Sequence, residues 1–163
     1  MNTIKTLSSN DYQDYKNLIT SVKEEFTQDL QYSQTMTESL MKDILSRPSS
    51  SCNVFGYFNN KSLIGTATLE QVQIVGKEHK SIIKFNFIQE NDKDINSKLI
   101  KHIIQYAREM GYESVLASIV SNNISAKVFY SSLGFDNLGF EKNAIKINND
   151  YFDEHWLCYD LLK

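Results

Sequence analysis

The feature that most constrains the fold is a change of hydrophobic period near the middle of the chain. Apolar residues alternate along 80–89, which is typical of a strand. The next apolar residues recur at helical spacing at Ile95, Leu99, Ile103 and Ala107. A short β-branched run over 114–120 follows Gly111, which is placed to terminate the helix. Strand, helix and strand in this order predict a parallel crossover within one sheet.

The other predicted elements are two helices before this crossover and antiparallel strands on either side of it. Helical spacing over the first segment includes Tyr15, Leu18, Ile19, Val22 and Phe26. A second helix follows a capping-box pattern at 35–38 and contains Leu40, Met41, Ile44 and Leu45. The later predicted elements are strands over 53–57, 62–75 and 80–89, a helix over 124–133, and a hairpin of 137–147 with 151–162.

This order, ααβββαβαββ, predicts an α/β (α+β) fold. We expect a mixed, mostly antiparallel sheet of six or seven strands flanked by four helices, in a single domain over 1–163. Trp156 is expected in the core of this domain, with a platform for the substrate as the alternative, and His102 is expected as a solvated or rim side chain.

Charge and apolar run lengths argue against two classes of partner. The chain has 17 basic and 20 acidic residues and no basic block, so we expect no nucleic-acid binding. No apolar run approaches the roughly 20 residues that cross a bilayer, and the first residues lack a secretion-signal core. We therefore expect no membrane association and a cytoplasmic location. Cys52 and Cys158 lack metal-ligand spacing, so no metal is expected, and both thiols are interpreted as small buried or half-buried side chains.

The most specific motif lies over 120–135 and reads VSNNISAKVFYSSLGF. It resembles the N-x-x-A-x-x-[LF]-Y-x-x-[LM]-G-F signature of the GNAT acyltransferase family. The residues in register are Asn123, Ala126, Phe129, Tyr130, Leu133, Gly134 and Phe135. Segments 139–144 and 151–154 also resemble the last hairpin of that family. The resemblance covers the whole chain in element order and is strongest over 114–162.

The resemblance implies N-acetylation of an amine by its direct attack on the thioester of acetyl-CoA. The acceptor would be a small-molecule or peptide amine, and edge pairing through the last hairpin would make a homodimer. The implied cofactor-binding residues are Phe87, Ile88, Gln89, Asn123, Ala126 and Phe129. Tyr130 would be the general acid, because a phenol can give a proton to the departing thiolate. Two structural alternatives stay open, with Asn123 as a simple helix cap and Tyr130 as a packing residue.

The segment that should hold the cofactor diphosphate departs from the family pattern. The family loop reads Q/R-x-x-G-x-G/A, whereas this chain has 91–96 as NDKDIN. The resemblance places the diphosphate at Asp94, Ile95, Asn96, Ser97 and Lys98. Carboxylates at a helix start compete with a diphosphate for the same positive pole. Three interpretations follow: an enzyme that binds acetyl-CoA weakly, an enzyme with another acyl donor, or a non-catalytic binding module.

The base that deprotonates the amine is not specified by any motif. Glu70, His79 and Glu90 are candidates by position, although each also suits an ordinary surface site. The resemblance places the acceptor-binding helices and their connecting loop at Glu24, Glu25, Asp29 and nearby Tyr32, which implies an acidic lining for a cationic amine. Ordinary helix-surface charge is the alternative interpretation of these residues.

Overall fold

The computed structural model describes residues 1–22 and 36–163, which form one seven-stranded sheet with helices on both faces. The strands are β1 (Asn2–Thr6), β2 (Cys52–Asn59), β3 (Ser62–Gln71), β4 (Lys80–Ile88), β5 (Ser114–Val120), β6 (Asp136–Ile147) and β7 (Asp150–Asp160). The helices are α1 (Tyr12–Ser21), α2 (Glu38–Ser46), α3 (Lys93–Glu109) and α4 (Ile124–Ser132). Short 3₁₀ turns occupy Ser9–Asp11 and Gln89–Asn91.

The strand order is β1-β2-β3-β4-β5-β7-β6, and the pairing between β4 and β5 is parallel. All the other neighbouring pairs are antiparallel. The predicted crossover and the mixed, mostly antiparallel sheet are therefore confirmed. The predicted order lacked β1, which pairs with β2 at the sheet edge. Only Ile4 of β1 is partly buried, so this strand carries no alternating apolar pattern.

Local signals mark several of the observed element ends. The side chain of Thr37 caps α2 by accepting from the Leu40 N–H at 3.1 Å. Gly111 follows α3 with a φ of +83°, a left-handed conformation that favours glycine. The predicted strand 62–75 is too long, because β3 ends at Gln71 and Val75 is exposed in the following turn. Phe26, expected on the first helix, lies outside the described residues.

The two faces of the sheet carry separate cores. On one face, α3 and α4 cover inward-facing residues of β5 that are almost fully buried, namely Val115, Ala117 and Ile119. On the opposite face, α1 and α2 pack on residues of the strands that include Phe87. Burial of both faces explains why β2 and β5 are rich in apolar residues along most of their length.

The last strand orients its residues differently from the sequence expectation. Leu157 is fully buried against α3, whereas Trp156 points to the other face and is only half-buried. The indole Nε1 of Trp156 donates to Oε1 of Glu141 at 2.8 Å. The prediction of Trp156 as a core residue is therefore wrong, because strand alternation gives the core position to its neighbour. Within the described residues, no helix combines the length and apolar character needed to span a bilayer.

Candidate active site

An opening between β4 and β5 dominates the centre of the sheet. The two parallel strands pair only from Lys80 with Ser114 to Ile82 with Leu116. Beyond these pairs β4 stays with β3 as far as Ile88, and β5 stays with β7 as far as Val120. Residues 83–88 and 117–120 therefore border a V-shaped gap, which we call the wedge. Its unpaired strand edges can hydrogen-bond an extended ligand in place of a strand.

A bulge in β4 shapes one side of the wedge. Thr68 lies opposite Lys84 and Thr66 lies opposite Phe87, so β4 contains one extra residue in this stretch. Phe85 within the bulge has a φ of +53°, which is a rare conformation for a large side chain. The extra residue shifts the alternation of β4 side chains between the two faces of the sheet. This shift determines the face on which the next side chain, Asn86, lies.

Asn86 joins three elements through its side-chain amide. Its Nδ2 donates to the main-chain oxygen of Thr66 at 3.1 Å and to Oδ1 of Asn96 at 2.9 Å. Its Oδ1 accepts from Nδ2 of Asn96 at 3.0 Å and from the hydroxyl of Tyr130 at 3.2 Å. Asn86 is not among the site residues predicted from the sequence. The only sequence signal was a lone amide between two phenylalanines in an apolar strand.

Tyr130 lies on α4 and is 6% exposed. Its ring makes edge contacts with Phe129 and Phe135, each with 5.2 Å between ring centroids. These rings fix the phenol plane, and Asn86 holds the hydroxyl on the β4 side of the wedge. Tyr130 therefore has both a packing role and a specific polar contact, and the contact places its hydroxyl next to the wedge.

The start of α4 agrees with the expected cap. Oδ1 of Asn123 accepts from the Ala126 N–H at 3.0 Å, so this side chain caps the helix. Ala126 is partly exposed at the first turn, and Phe129 is buried one turn later. These residues place the helix start beside the end of β5, close to one arm of the wedge.

The start of α3, where the diphosphate was expected, is occupied by a carboxylate. Asp92 caps the helix, and its Oδ1 accepts from the N–H groups of Asp94 at 3.0 Å and Ile95 at 3.1 Å. Two N–H groups that could hold an anion therefore already have an anionic partner. The ammonium of Lys98 pairs with Asp94 at 3.2 Å, which raises the pKa of the lysine.

The remaining predicted cofactor residues differ in accessibility. Phe87 and Ile88 are buried side chains at the end of β4, so their main chain is the part that borders the wedge. Gln89 is exposed at the beginning of the 3₁₀ turn that leads to α3. Asn96 and Ser97 are half-buried on the first turns of α3, and the Asn96 side chain is directed to Asn86.

The three candidate bases lie in different places. Glu70 is ion-paired with Arg47 at 3.2 Å and with Lys84 at 3.5 Å. His79 and Glu90 are exposed in turns, and Glu90 has a φ of +57°. Glu24, Glu25, Asp29 and Tyr32, the proposed acidic lining, lie outside the described residues.

A groove of about 370 Å³ lies on the sheet face opposite α3 and α4. Its apolar lining comes from Val72, Ile74, Ile82, Leu116 and Trp156. The β4–β5 pairing ends at two of these residues, Ile82 and Leu116. Its charged lining consists of three lysines and one carboxylate, namely Lys77, Lys80, Lys84 and Glu70. The groove thus begins at the base of the wedge and has a net positive lining.

A sheet opened between two parallel strands, with a tyrosine from the following helix beside the gap, defines the acyl-CoA N-acyltransferase class. Residues 4–156 match the family model described as "Acetyltransferase (GNAT) domain", so the chain belongs to the GNAT acetyltransferase family and is an acyltransferase enzyme. The family assignment favours the enzyme over the non-catalytic module considered from the sequence.

Solved structures agree with this assignment. The chain is 62% identical to an N-acetyltransferase from Staphylococcus aureus Mu50, with 100% of this chain and 99% of that chain covered and a TM-score of 0.88. It is 47% identical to a "probable acetyltransferase" from Staphylococcus epidermidis, with 98% of this chain and 99% of that chain covered and a TM-score of 0.91. A Salmonella typhimurium protein solved with its cofactor acetyl-CoA shares the fold at 17% identity, with 98% of this chain and 94% of that chain covered and a TM-score of 0.76. Among proteins with a curated function, none matches significantly.

Proposed function

We propose that this enzyme transfers an acetyl group from acetyl-CoA to a primary amine, with Tyr130 as the general acid. The observation that carries the proposal is the position of the Tyr130 hydroxyl, 3.2 Å from Asn86 on the opposite side of the wedge. A thioester held in the wedge would have its sulfur beside this phenol. Acetyl-CoA supplies the activated acyl group, and the protein supplies alignment and proton transfer.

Each wedge residue has a role in this proposal. The main chain of Phe87, Ile88 and Gln89 pairs with the extended pantetheine arm, as a strand would. A main-chain N–H near Phe87 or Ile88 stabilises the oxyanion that forms when the amine attacks the carbonyl carbon. The C–S bond then breaks, and Tyr130 donates its proton to the thiolate. Asn123, Ala126 and Phe129 form the α4 side of the cofactor site.

The start of α3 bears on how tightly the cofactor binds. The Asp92 carboxylate occupies the N–H groups of Asp94 and Ile95, so a diphosphate has to displace it or bind beside it. At about 4 Å and an effective dielectric near 20, one like-charge contact costs on the order of 4 kcal/mol before screening. We therefore expect weak binding of acetyl-CoA, partly offset by Lys93 and Lys98.

The acceptor in this proposal is a small-molecule or peptide amine that lies in the groove at the base of the wedge. The three lysines of the groove favour an acceptor that also carries an acidic group. The outer strand of the sheet, β6, offers an edge for pairing with a second copy, so a homodimer is part of the proposal. A cytoplasmic location, as expected from the sequence, is part of the proposal as well.

The test compares Tyr130→Phe with the wild type. Calorimetric titration with acetyl-CoA gives the affinity, and release of the free thiol gives turnover. We expect kcat to fall by about a hundredfold or more while the affinity changes less than about threefold. Tyr151→Phe, which alters an exposed tyrosine on β7, is the matched control. No binding of acetyl-CoA to the wild type, or equal losses of kcat and affinity in Tyr130→Phe, would contradict the proposal.

A further inference from the structure

Glu154 is a buried carboxyl group that the wedge chemistry described above does not use. It lies on β7 opposite Val120, the last residue of β5, and is 5% exposed. Its Oε2 is fully buried and has no hydrogen-bond partner among the described residues. A buried carboxyl oxygen without a partner is costly, and such groups are uncommon in folded proteins.

Within 1–22 and 36–163, no side chain forms an ion pair with Glu154. Burial raises the pKa of its carboxyl group, and the carboxylate of Glu141 on β6 raises it further. A hydrogen bond with Ser118 on β5 offsets part of this shift in the pKa. Glu70, by contrast, is held by Arg47 and Lys84. An ordinary stabilising salt bridge therefore explains Glu70 and does not explain Glu154.

The face on which Glu154 lies connects it with the groove. Glu154 and Trp156 are two residues apart on a strand that pairs with β5 without interruption, so both point to the same face. Trp156 and Leu116 line the groove, and Val120 opposite Glu154 is at the wedge end of β5. The carboxyl group therefore lies between the groove and the open end of the wedge.

Tyr130 lies on the other side of the sheet. It packs in the core formed with α3 and α4, whereas Glu154 lies on the face of α1 and α2. With a thioester in the wedge, an amine arriving from the groove would meet the carbonyl on the face of Glu154, and the sulfur would be on the face of Tyr130. Two separate groups are therefore available, one as a base toward the amine and one as an acid toward the sulfur.

We propose that Glu154 is the catalytic base that takes a proton from the acceptor amine as this amine approaches from the groove. The assignment rests on the acetyl transfer proposed above. The ammonium nitrogen loses two protons overall as the C–N bond forms and the C–S bond breaks. One passes through Glu154 to solvent, and the other replaces the proton that Tyr130 gives to sulfur. A carboxyl group with a raised pKa is a stronger base for this step than an exposed one.

The test separates the need for a base from the need for the fold and cofactor. Wild type and Glu154→Gln are assayed with two kinds of nucleophile at saturating acetyl-CoA. The first kind is protonated at neutral pH: cadaverine, γ-aminobutyrate and a tripeptide with a free amino terminus. The second is hydroxylamine, whose nitrogen is largely unprotonated at neutral pH and needs no base before it attacks. We expect Glu154→Gln to lose about a hundredfold or more with the protonated amines and less than about threefold with hydroxylamine.

Two further variants complete the design. Glu154→Asp keeps a carboxylate at a shorter reach, so we expect it to recover part of the lost rate. Glu113→Gln removes an exposed carboxylate at the other end of β5 and should behave as wild type. Equal losses with both kinds of nucleophile in Glu154→Gln, or no loss with either, would overturn the role of Glu154. Wild-type turnover with hydroxylamine and none of the protonated amines would overturn it as well. A wild type inactive with every nucleophile overturns the acetyl transfer itself.

Discussion

The hydroxyl of Tyr130 donates to Oδ1 of Asn86 at 3.2 Å, and this contact joins α4 to β4 across the wedge. The Asn86 amide cannot rotate to present its NH₂ group instead, because its Nδ2 already donates to the main-chain oxygen of Thr66. The Asn86–Asn96 pair continues the connection to the first turn of α3. The proposed general acid and the helix expected to receive the cofactor diphosphate thus share one positioning side chain.

Replacing Asn86 with alanine should therefore reduce both activity and stability. The Thr66 carbonyl, the Asn96 amide and the Tyr130 hydroxyl each lose a partner, which we expect to lower the free energy of unfolding by about 1–3 kcal/mol. A less well-placed phenol should lower kcat by about tenfold. Urea denaturation and thiol-release kinetics measure the two effects. Asn17→Ala, at an exposed amide on α1, is the control. If Asn86→Ala lowered kcat as much in a Tyr130→Phe background, the two residues would be independent.

Removing the carboxylate at the start of α3 should strengthen cofactor binding. Asp92→Ser keeps an oxygen that can accept from the N–H groups of the first turn and removes the negative charge. We expect the Kd for acetyl-CoA to fall by about tenfold, since even a part of the like-charge repulsion amounts to roughly 1.4 kcal/mol. Calorimetric titration measures this change. Asp14→Ser, in the first turn of α1, controls for the change in net charge. An unchanged Kd in Asp92→Ser would mean that the diphosphate does not approach this helix end.

The buried carboxyl of Glu154 should make folding stability depend on pH. Its folded-state pKa lies above the ordinary value of 4.5, so the folded protein retains a proton that the unfolded chain releases. Stability should therefore fall as the pH rises from 4.5 through the raised pKa. Glu154→Gln should remove this component and be at least as stable as the wild type at neutral pH. Thermal unfolding from below pH 4.5 to neutral pH measures it, with Glu113→Gln as control. A larger loss of stability with rising pH in Glu154→Gln than in the wild type would show that the sign is wrong.

Gly134 should tolerate alanine poorly. Its φ is +105°, and an added Cβ would approach Cε2 of Tyr159 to 3.1 Å. We expect Gly134→Ala to lower the free energy of unfolding by about 1–2 kcal/mol through backbone strain. Gly139→Ala is the control, because its backbone angle is ordinary and no atom lies within 4 Å of the added Cβ. Equal unfolding free energies for the two variants, measured in urea, would contradict the expected strain.

Part of the site was predictable because its signals are local. The spacing around Tyr130 is that of one helix, and Asn123 caps that same helix. Asn86 was not predictable, since its partners Thr66 and Tyr130 are 20 and 44 residues away in the chain. Glu154 was not predictable either, because its proposed role depends on its burial. That burial depends on which face of β7 is turned toward the groove.

The sequence by itself determined the type and order of most elements, the parallel crossover and the family motif, because each depends on residues close together in the chain. The edge strand β1 was not predicted from the sequence, because most of its side chains are exposed and form no alternating apolar pattern. The tertiary structure alone decided where β4 and β5 separate, which face carries the groove, and which polar groups meet at the wedge. Those outcomes depend on strand register and on one bulge near Phe85, and they are set by packing between distant segments.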